Sequence, residues 1–214
     1  MHIVITRPKE DSLYLMENLI KSGHDVTHLP VIKIEKLQTE KINLLNYQAV
    51  IFTSSNAIRF MNIGKFNSKI KCFCVGKATE FTAKQFGFIN TYTSEGTVDS
   101  LIELVIRTLN NKSEKLLYLS SEFISKDLDK DLIKAGYSVD RISNYTSIAV
   151  EEINKKTLDF FEKKPPDVIF IYSSKSAKNL FKLINKYSLL NVVTQSNLMC
   201  ISEKVLSVLK QIKW

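Results

Sequence analysis

Apolar residues along the chain follow two alternating rhythms. Short apolar runs, the kind a strand makes when both its faces are covered, occur at residues 3–5, 49–53, 116–119, 167–172 and 198–201, and residues 26–29, 70–75 and 139–142 also read as strands. Between them, apolar residues recur every three or four positions and predict helices. Asp11 or Ser12 is placed to cap a first helix with Leu15, Met16, Leu19 and Ile20 on one face and Gly23 at its end. Further helices are predicted from the turn after residue 53 to about residue 63, over 78–86 before Gly87, and from Asp99 with Leu101, Ile102, Val105 and Leu109 inward. Others follow over about 125–134 before Gly136, then at 176–187 and 203–210. Residues 92–96 read as a strand end and turn. Residues 31–37 differ, because Ile32 and Ile34 alternate with Lys33 and Glu35 as in a half-exposed strand; residues 145–150 are also extended, and the two stretches are expected to pair. One more strand would be expected where the chain stops at Ile212, Lys213 and Trp214.

Strands alternating with helices predict parallel sheets with helices on both faces, and ligands then sit beyond the carboxyl ends of the strands. The most informative such end is VIFTSSNAIRF at residues 50–60. Thr53, Ser54, Ser55 and Asn56 are all good N-cap types. A helix beginning there aims free N–H groups and its positive dipole end into the crevice, a ready site for an anion. Simple capping by Ser54 or Ser55 is the plainer reading. A second copy, VIFIYSSKSAKNLF at 168–181, raises the interest of the motif. LIKSGHDV at 19–26 also matches LIKAGYSV at 132–139, and CFCVGKATEFTAK at 72–84 matches LMCISEKVLSVLK at 198–210. These offsets, roughly 113 to 126 residues, suit a duplicated small domain rather than a solenoid.

Composition narrows the function classes. The 214 residues, 44% hydrophobic and 24% charged, are ordinary for a globular protein of one large or two small domains. No apolar run is long enough to span a membrane and the first residues do not read as a signal peptide, so a cytoplasmic address is expected. The net charge of +8 is spread over scattered lysines, with no basic run or recognition helix; no nucleic-acid partner is expected, and attraction of a small polyanion is the functional alternative to a merely lysine-rich surface. Cys72, Cys74 and Cys200 form no C-x-x-C pair and read as small buried hydrophobes, so no metal is expected. The expected carboxyl-end turns hold Thr6-Arg7-Pro8, residues 53–56, Gly76-Lys77-Ala78-Thr79, Ser120-Ser121 and residues 173–176, rich in hydroxyls and poor in acids. His24 and His28 are expected to lie away from these turns, with His2 the one possible exception, which argues against a histidine base.

ITRP near the N-terminus, FTSSNAI, VGKATE, GTVDSLIEL, the L-x-x-x-L-x-x-x-G-Y-x-V segment before Tyr145, and IYSSKSA occur in an order that resembles the uroporphyrinogen-III synthase family over nearly the whole chain. The resemblance implies an α/β fold of two flavodoxin-like domains with parallel sheets, joined by a two-stranded antiparallel β-ladder. It places residues 1–34 and 150–214 in one discontinuous domain, 36–146 in the other, and the ladder at 31–37 and 145–150; the repeat alone suggests a cut near Lys112 instead. It implies closure of hydroxymethylbilane, a linear tetrapyrrole bearing many carboxylates, with inversion of the last ring and loss of water, without metal or organic cofactor. A monomer is expected, with at most a transient contact to hydroxymethylbilane synthase.

Carried onto matching positions, the resemblance implies that Thr6 and Arg7 stand at the mouth of the first domain, and that Ser173, Ser174 and Lys175 of that domain face the turns at 53–56 and 76–79 of the second. Thr53, Ser54, Ser55 and Asn56 would bind a carboxylate, and Gly76, Lys77, Ala78 and Thr79 would form a turn whose backbone comes close to substrate. Tyr145 matches the tyrosine proposed to help the hydroxyl leave; a phenol, with a reference pKa of about 10, can donate a proton at neutral pH. The alternative for Tyr145 is packing. Three departures stand out. The turn after Leu119 reads SSEFISKDL where the family has glycine and an arginine, leaving Ser120 and Lys126 as the candidates there; Glu203 stands where an anion would sit; and the last strand and helix are missing. An anion-binding module, such as a sugar-phosphate binder, and an inactive relative of the synthase are the competing readings.

Overall fold

In the computed structural model, which describes residues 1–64 and 66–210, the predicted alternation becomes two parallel-rich sheets. The chain divides into two units, Met1–Lys33 with Ile148–Trp214, and Ile34–Ser147. The expectation for residues 212–214 falls outside the described residues.

The first unit contains β1 (His2–Ile5), α1 (Leu13–Lys21), β2 (Asp25–His28) and, after the chain returns, α6 (Lys155–Lys163), β9 (Val168–Ile171), α7 (Ser174–Lys186), α8 (Leu190–Val193), β10 (Asn197–Cys200) and α9 (Glu203–Leu209). Its strands run in the order β10-β9-β1-β2, all in parallel register. One face packs Val4, Ile169 and Ile171 against Ala177, Leu180, Leu183 and Ile184 of α7 and against Val205 and Leu209 of α9. The i, i+3, i+6, i+7 spacing of those α7 residues puts them on one stripe and folds it as an amphipathic helix. Its N-cap is Ser173, whose hydroxyl accepts the N–H of Ser176 at 3.0 Å. By contrast α1 buries none of its residues, and Ile20, expected inward, is 56% exposed. Ser12 does not cap it through its side chain; the hydroxyl donates backwards to the Pro8 carbonyl at 2.8 Å. The unforeseen α6 is hidden in sequence by its charge, since only Phe161 of KKTLDFFEK is buried.

The second unit carries β3 (Ile32–Lys36), whose first residues belong to the other unit, then β4 (Ala49–Phe52), α2 (Ser55–Arg59), β5 (Lys71–Cys74), α3 (Lys77–Gln85), β6 (Thr91–Thr93), α4 (Val98–Thr108), β7 (Leu116–Ser121), α5 (Leu128–Lys134) and β8 (Val139–Ala149). The strand order is β3-β8-β7-β4-β5-β6, with parallel pairing from β8 through β6. Period-two alternation splits the strand residues between two cores. Val50, Phe52, Cys72, Cys74, Leu117 and Leu119 fill one, while Ala49, Ile51, Phe73, Leu116 and Tyr118 fill the other. Coverage on both faces is why these strands read as unbroken apolar runs.

Four expectations need correction here. The helix after β4 stops at Arg59 rather than near residue 63, because the chain turns back and Asn62 gives its carbonyl to the Ile42 N–H at 2.8 Å. The α4 cap is Thr97, in a reciprocal capping box with Ser100, and Asp99 lies inside the first turn. Ser120 and Ser121 are no exit turn; both are buried residues of β7. Residues 139–142 and 145–150 merge into one strand, β8.

Cys72 and Cys74, two apart on β5, share a face with their sulfurs 3.7 Å apart. The neighbouring Cys74 sulfur, and burial after it, push the Cys72 thiol well above its ordinary range. Since the thiolate is the reactive form, a thiol-reactive dye added to native protein should label only Cys200, which is half-buried, and should reach all three cysteines after denaturation. Rapid labelling of two or more thiols in the native state would contradict this packing.

Candidate functional site

At the carboxyl edge of the second unit's sheet lies a pocket of about 290 Å³. Thr53 follows β4, Val75 follows β5, Gly96 and Val98 stand at the entry to α4, Ser121 ends β7, and Tyr145 comes from β8; Tyr118 lies below them and Phe123, Ser125 and Lys126 border the rim. The volume falls just below the usual range of ligand pockets, about 300–1,000 Å³, and suits one ring-sized group.

Hydroxyls dominate the chemistry. The Tyr118 phenol and the Thr53 hydroxyl are 3.1 Å apart and share one hydrogen bond. Burial, opposed by that bond and by Arg141, holds the Tyr118 phenol above its ordinary range, so it is a neutral donor at physiological pH. Tyr145 is 8% exposed and packs with Leu119 and Phe52, leaving its edge at the pocket. Lys126, the cation among the lining residues, is paired with Asp99 of α4 and lies 3.7 Å from Asp131. Its charge is thus already met from within the protein, and the Asp99 bond pushes its pKa up. Among the described residues no group of three or more His, Cys, Asp or Glu side chains could hold a metal ion.

The expected site residues separate into three sets. Thr53, Lys126 and Tyr145 meet in the pocket. Ser54, Ser55, Asn56 and the 76–79 turn adjoin it in sequence but are engaged with each other. Ser54 caps α2 by accepting the Asn56 N–H at 3.2 Å, Ser55 donates to the Ala78 carbonyl at 3.3 Å, and Asn56 Oδ1 accepts from Arg59 Nη1 at 2.8 Å. With five residues, α2 has little dipole to offer an anion, which corrects the helix-terminus expectation for this turn. The expectation that Gly76 is needed for close backbone approach also fails. Its φ of −171° is open to any residue, and an added Cβ would meet only the Gly96 Cα at an ordinary 3.8 Å. Lys77 opens α3, and Thr79 is buried within it. Ser120 is fully buried and engaged, accepting from Arg141 Nε at 2.9 Å and donating to the Ser121 carbonyl at 3.0 Å, so it cannot reach a ligand as expected.

The third set belongs to the first unit. Thr6 is fully buried and donates to the Phe170 carbonyl at 2.6 Å. The Arg7 guanidinium lies 4.8 Å over the Tyr172 ring and 3.6 Å from Asp11. Ser173 and Ser176 hydroxyls are 2.8 Å apart, with Ser174 and the exposed Lys175 beside them at the start of α7. The histidine expectation is reversed: His28 Nε2 reaches the Arg7 carbonyl at 2.8 Å, whereas His2 is buried at the opposite strand end between the Lys164 carbonyl and the Thr27 hydroxyl. Sequence reasoning did not single out Tyr118, Phe123, Ser125 or Gly96 for the pocket. The signal for Tyr118 was a polar-tipped residue inside the otherwise apolar LLYL, and the signal for Gly96 was its place at the head of GTVDSLIEL.

Fold and site together define an α/β protein with a hydroxyl-lined pocket at the carboxyl ends of a parallel sheet. The family model described as uroporphyrinogen-III synthase HemD matches residues 15–214, and the chain belongs to that family. It is 27% identical over 168 residues to a porphyrin biosynthesis protein HemD of Ruminiclostridium josui; this is 72% of the chain but spans only 33% of that relative. Among solved structures, it resembles uroporphyrinogen-III synthetase from Helicobacter pylori at a TM-score of 0.62 and 16% identity, covering 98% of this chain and 88% of that one. A mutant uroporphyrinogen III synthase from Thermus thermophilus gives a TM-score of 0.56 at 13% identity, covering 99% and 88%. At these identities the structural likeness speaks for the fold.

The raised Tyr118 pKa sets an alkaline signature. Below about pH 10 the phenol is protonated in both folded and unfolded chains and pH has no effect through it. Above that, the unfolded phenol ionises first, so its contribution to stability is lost as pH rises through the folded value. In an absorbance titration of native protein, Tyr118→Phe should remove a late-ionising phenol, and the variant's stability should fall less steeply above pH 10 than that of the unaltered chain. Loss of a phenol titrating at its ordinary pKa would contradict the burial argument.

Proposed function

We propose that the chain closes hydroxymethylbilane to uroporphyrinogen III, inverting ring D with loss of water, in tetrapyrrole biosynthesis. Family membership over residues 15–214 supports the reaction class. The observation that carries it to residues is that Tyr145 comes to the same pocket as Thr53, Tyr118 and Ser121, a set of neutral donors around a ring-sized space.

In this reading the pocket receives the terminal ring with its hydroxymethyl group. Tyr145 gives its proton to that hydroxyl as the carbon–oxygen bond breaks, and water leaves. The substituted α-carbon of ring D attacks the resulting electrophilic carbon, giving a spiro intermediate; the bond from that ring D carbon to its original bridge carbon then breaks, and the freed bridge carbon bonds to the unsubstituted α-carbon of ring D, on the other side of the pyrrole nitrogen. The proton released from the ring restores the phenol. Unassisted closure favours the uninverted ring, so the protein's task is mainly to hold one geometry and favour its transition state. Thr53, Tyr118 and Ser121 orient the ring's acid side chains. Lys77, exposed at the start of α3, serves a carboxylate outside the pocket. The two units serve as domains 36–146 and 1–34 with 150–214. Residues 31–37 and 145–150 form an antiparallel ladder, supported by the Leu37 N–H bond to the Asn144 carbonyl and the Val150 N–H bond to the Val31 carbonyl, whose residue numbers run in opposite directions. The protein acts as a cytoplasmic monomer, taking substrate in transient contact with hydroxymethylbilane synthase.

The test couples the protein to a hydroxymethylbilane-generating enzyme and resolves the porphyrin isomers. Isomer III in excess is expected; isomer I alone would refute the reading. Tyr145→Phe should lower the turnover number on the order of 100-fold, as loss of a general acid does, and an unchanged rate would return Tyr145 to a packing role.

A further inference from the structure

Two walls of the pocket come from separate parts of the chain. One is the entry to α4, with Gly96 and Val98; the other is the segment after β7, with Phe123, Ser125 and Lys126. An ion pair ties them together, Lys126 of the second wall with Asp99 in the first turn of α4.

Both walls are also held by other bonds. Helix α4 is capped by Thr97 and Ser100 rather than by Asp99. The segment after β7 is held at its start by Arg141, through the Ser121 and Glu122 carbonyls, and at its end by the Leu128 N–H, which donates to the Lys126 carbonyl at 3.0 Å. The pair itself is open to water, with the Lys126 side chain 36% exposed and that of Asp99 69%. Exposed pairs of this kind add little to stability. What this one does is set the charge of the pocket. Lys126 is the cation among the lining residues, and a carboxylate of the protein already holds it. Asp131, 3.7 Å away, is a looser partner and is shared with Lys134 at 3.5 Å. An acid group of a ligand in the pocket therefore competes with Asp99 for one ammonium. The exchange swaps one carboxylate for another and breaks only a weak pair. Asp99 stays charged after it, solvated and at the positive end of α4.

We propose that Asp99 is a built-in stand-in for a ligand carboxylate: it holds Lys126 until an acid side chain of the bound ring takes the ammonium over. The proposal rests on the reading of the pocket as the seat of a ring bearing acid side chains.

The test measures binding of a pyrrole carrying one acetate and one propionate side chain, by calorimetry at low salt. The dimethyl ester of the same pyrrole is the uncharged control. Asp99→Asn should lower the Kd of the diacid by about two- to fivefold, the range that one exposed ion pair covers, and leave that of the ester in place. Lys126→Ala should raise the Kd of the diacid. In that background Asp99→Asn should change it by less than about 1.5-fold, because the contested ammonium is gone. A mere brace would behave in the opposite way, since its loss would loosen the walls and weaken binding of both pyrroles. Weaker or unchanged binding of the diacid by Asp99→Asn, or equal tightening in both backgrounds, overturns the proposal. Failure of the unaltered chain to bind the diacid overturns it too, and isomer III formed in the coupled assay would then leave the proposed reaction standing. If no isomer III is formed but Asp99→Asn tightens the diacid through Lys126, the reaction fails and the exchange at Lys126 stands.

Discussion

A parallel sheet covered on both faces has only its ends left for chemistry. In the second unit the two cores take every inward residue of β4, β5 and β7 up to the last turn of each strand. Polar side chains can then gather only where the strands run out, and the pocket lining is a list of such positions: Thr53, Val75, Gly96, Ser121 and Tyr145. The placement of the site follows from burial before any catalytic requirement is considered.

The same constraint explains the character of the site. Near a covered sheet an ionised group loses hydration and needs a partner, and the charged groups here have partners. Lys126 is held by Asp99, and Arg141 spends its donors on β7 and the turn after it. Hydroxyls remain, and they tolerate burial because each can donate and accept. The proposed closure, governed by which of two carbons attacks, asks for shape and orientation more than for a strong base. A ring of neutral donors meets that demand.

Much of this was legible in the sequence, and the boundary follows physical lines. The buried strands were readable because both faces are apolar; α7 and α4 were readable because one stripe is. The failures occur where local pattern and tertiary context part. The five-residue α2 could not be told from a longer helix, because the return of residues 60–63 to Ile42 is non-local. KKTLDFFEK hid α6 behind charge, and Leu15, Met16 and Leu19 promised a buried face that α1 does not have. Thr53, Lys126 and Tyr145 were found because they lie at motif edges. Tyr118 was missed because a phenol inside a strand looks like core, and most of it is core.

The departure at SSEFISKDL shows how the fold can keep a turn while changing its residues. Where the family pattern has glycine and a following arginine, this chain continues β7 through two buried serines. A guanidinium is nevertheless present, supplied by the neighbouring strand. Arg141 of β8 donates to the Ser120 hydroxyl and to the Ser121 and Glu122 carbonyls, at 2.9, 3.0 and 3.1 Å. Its planar fork suits several acceptors at once in a way a lysine does not. Held from β8, the turn no longer needs the backbone freedom of glycine, and the cation is used for bracing rather than for meeting an anion. Because Arg141 and Tyr145 are on the same strand, the element that carries the phenol also fixes the turn beside it, and the geometry of the pocket is set largely by β8.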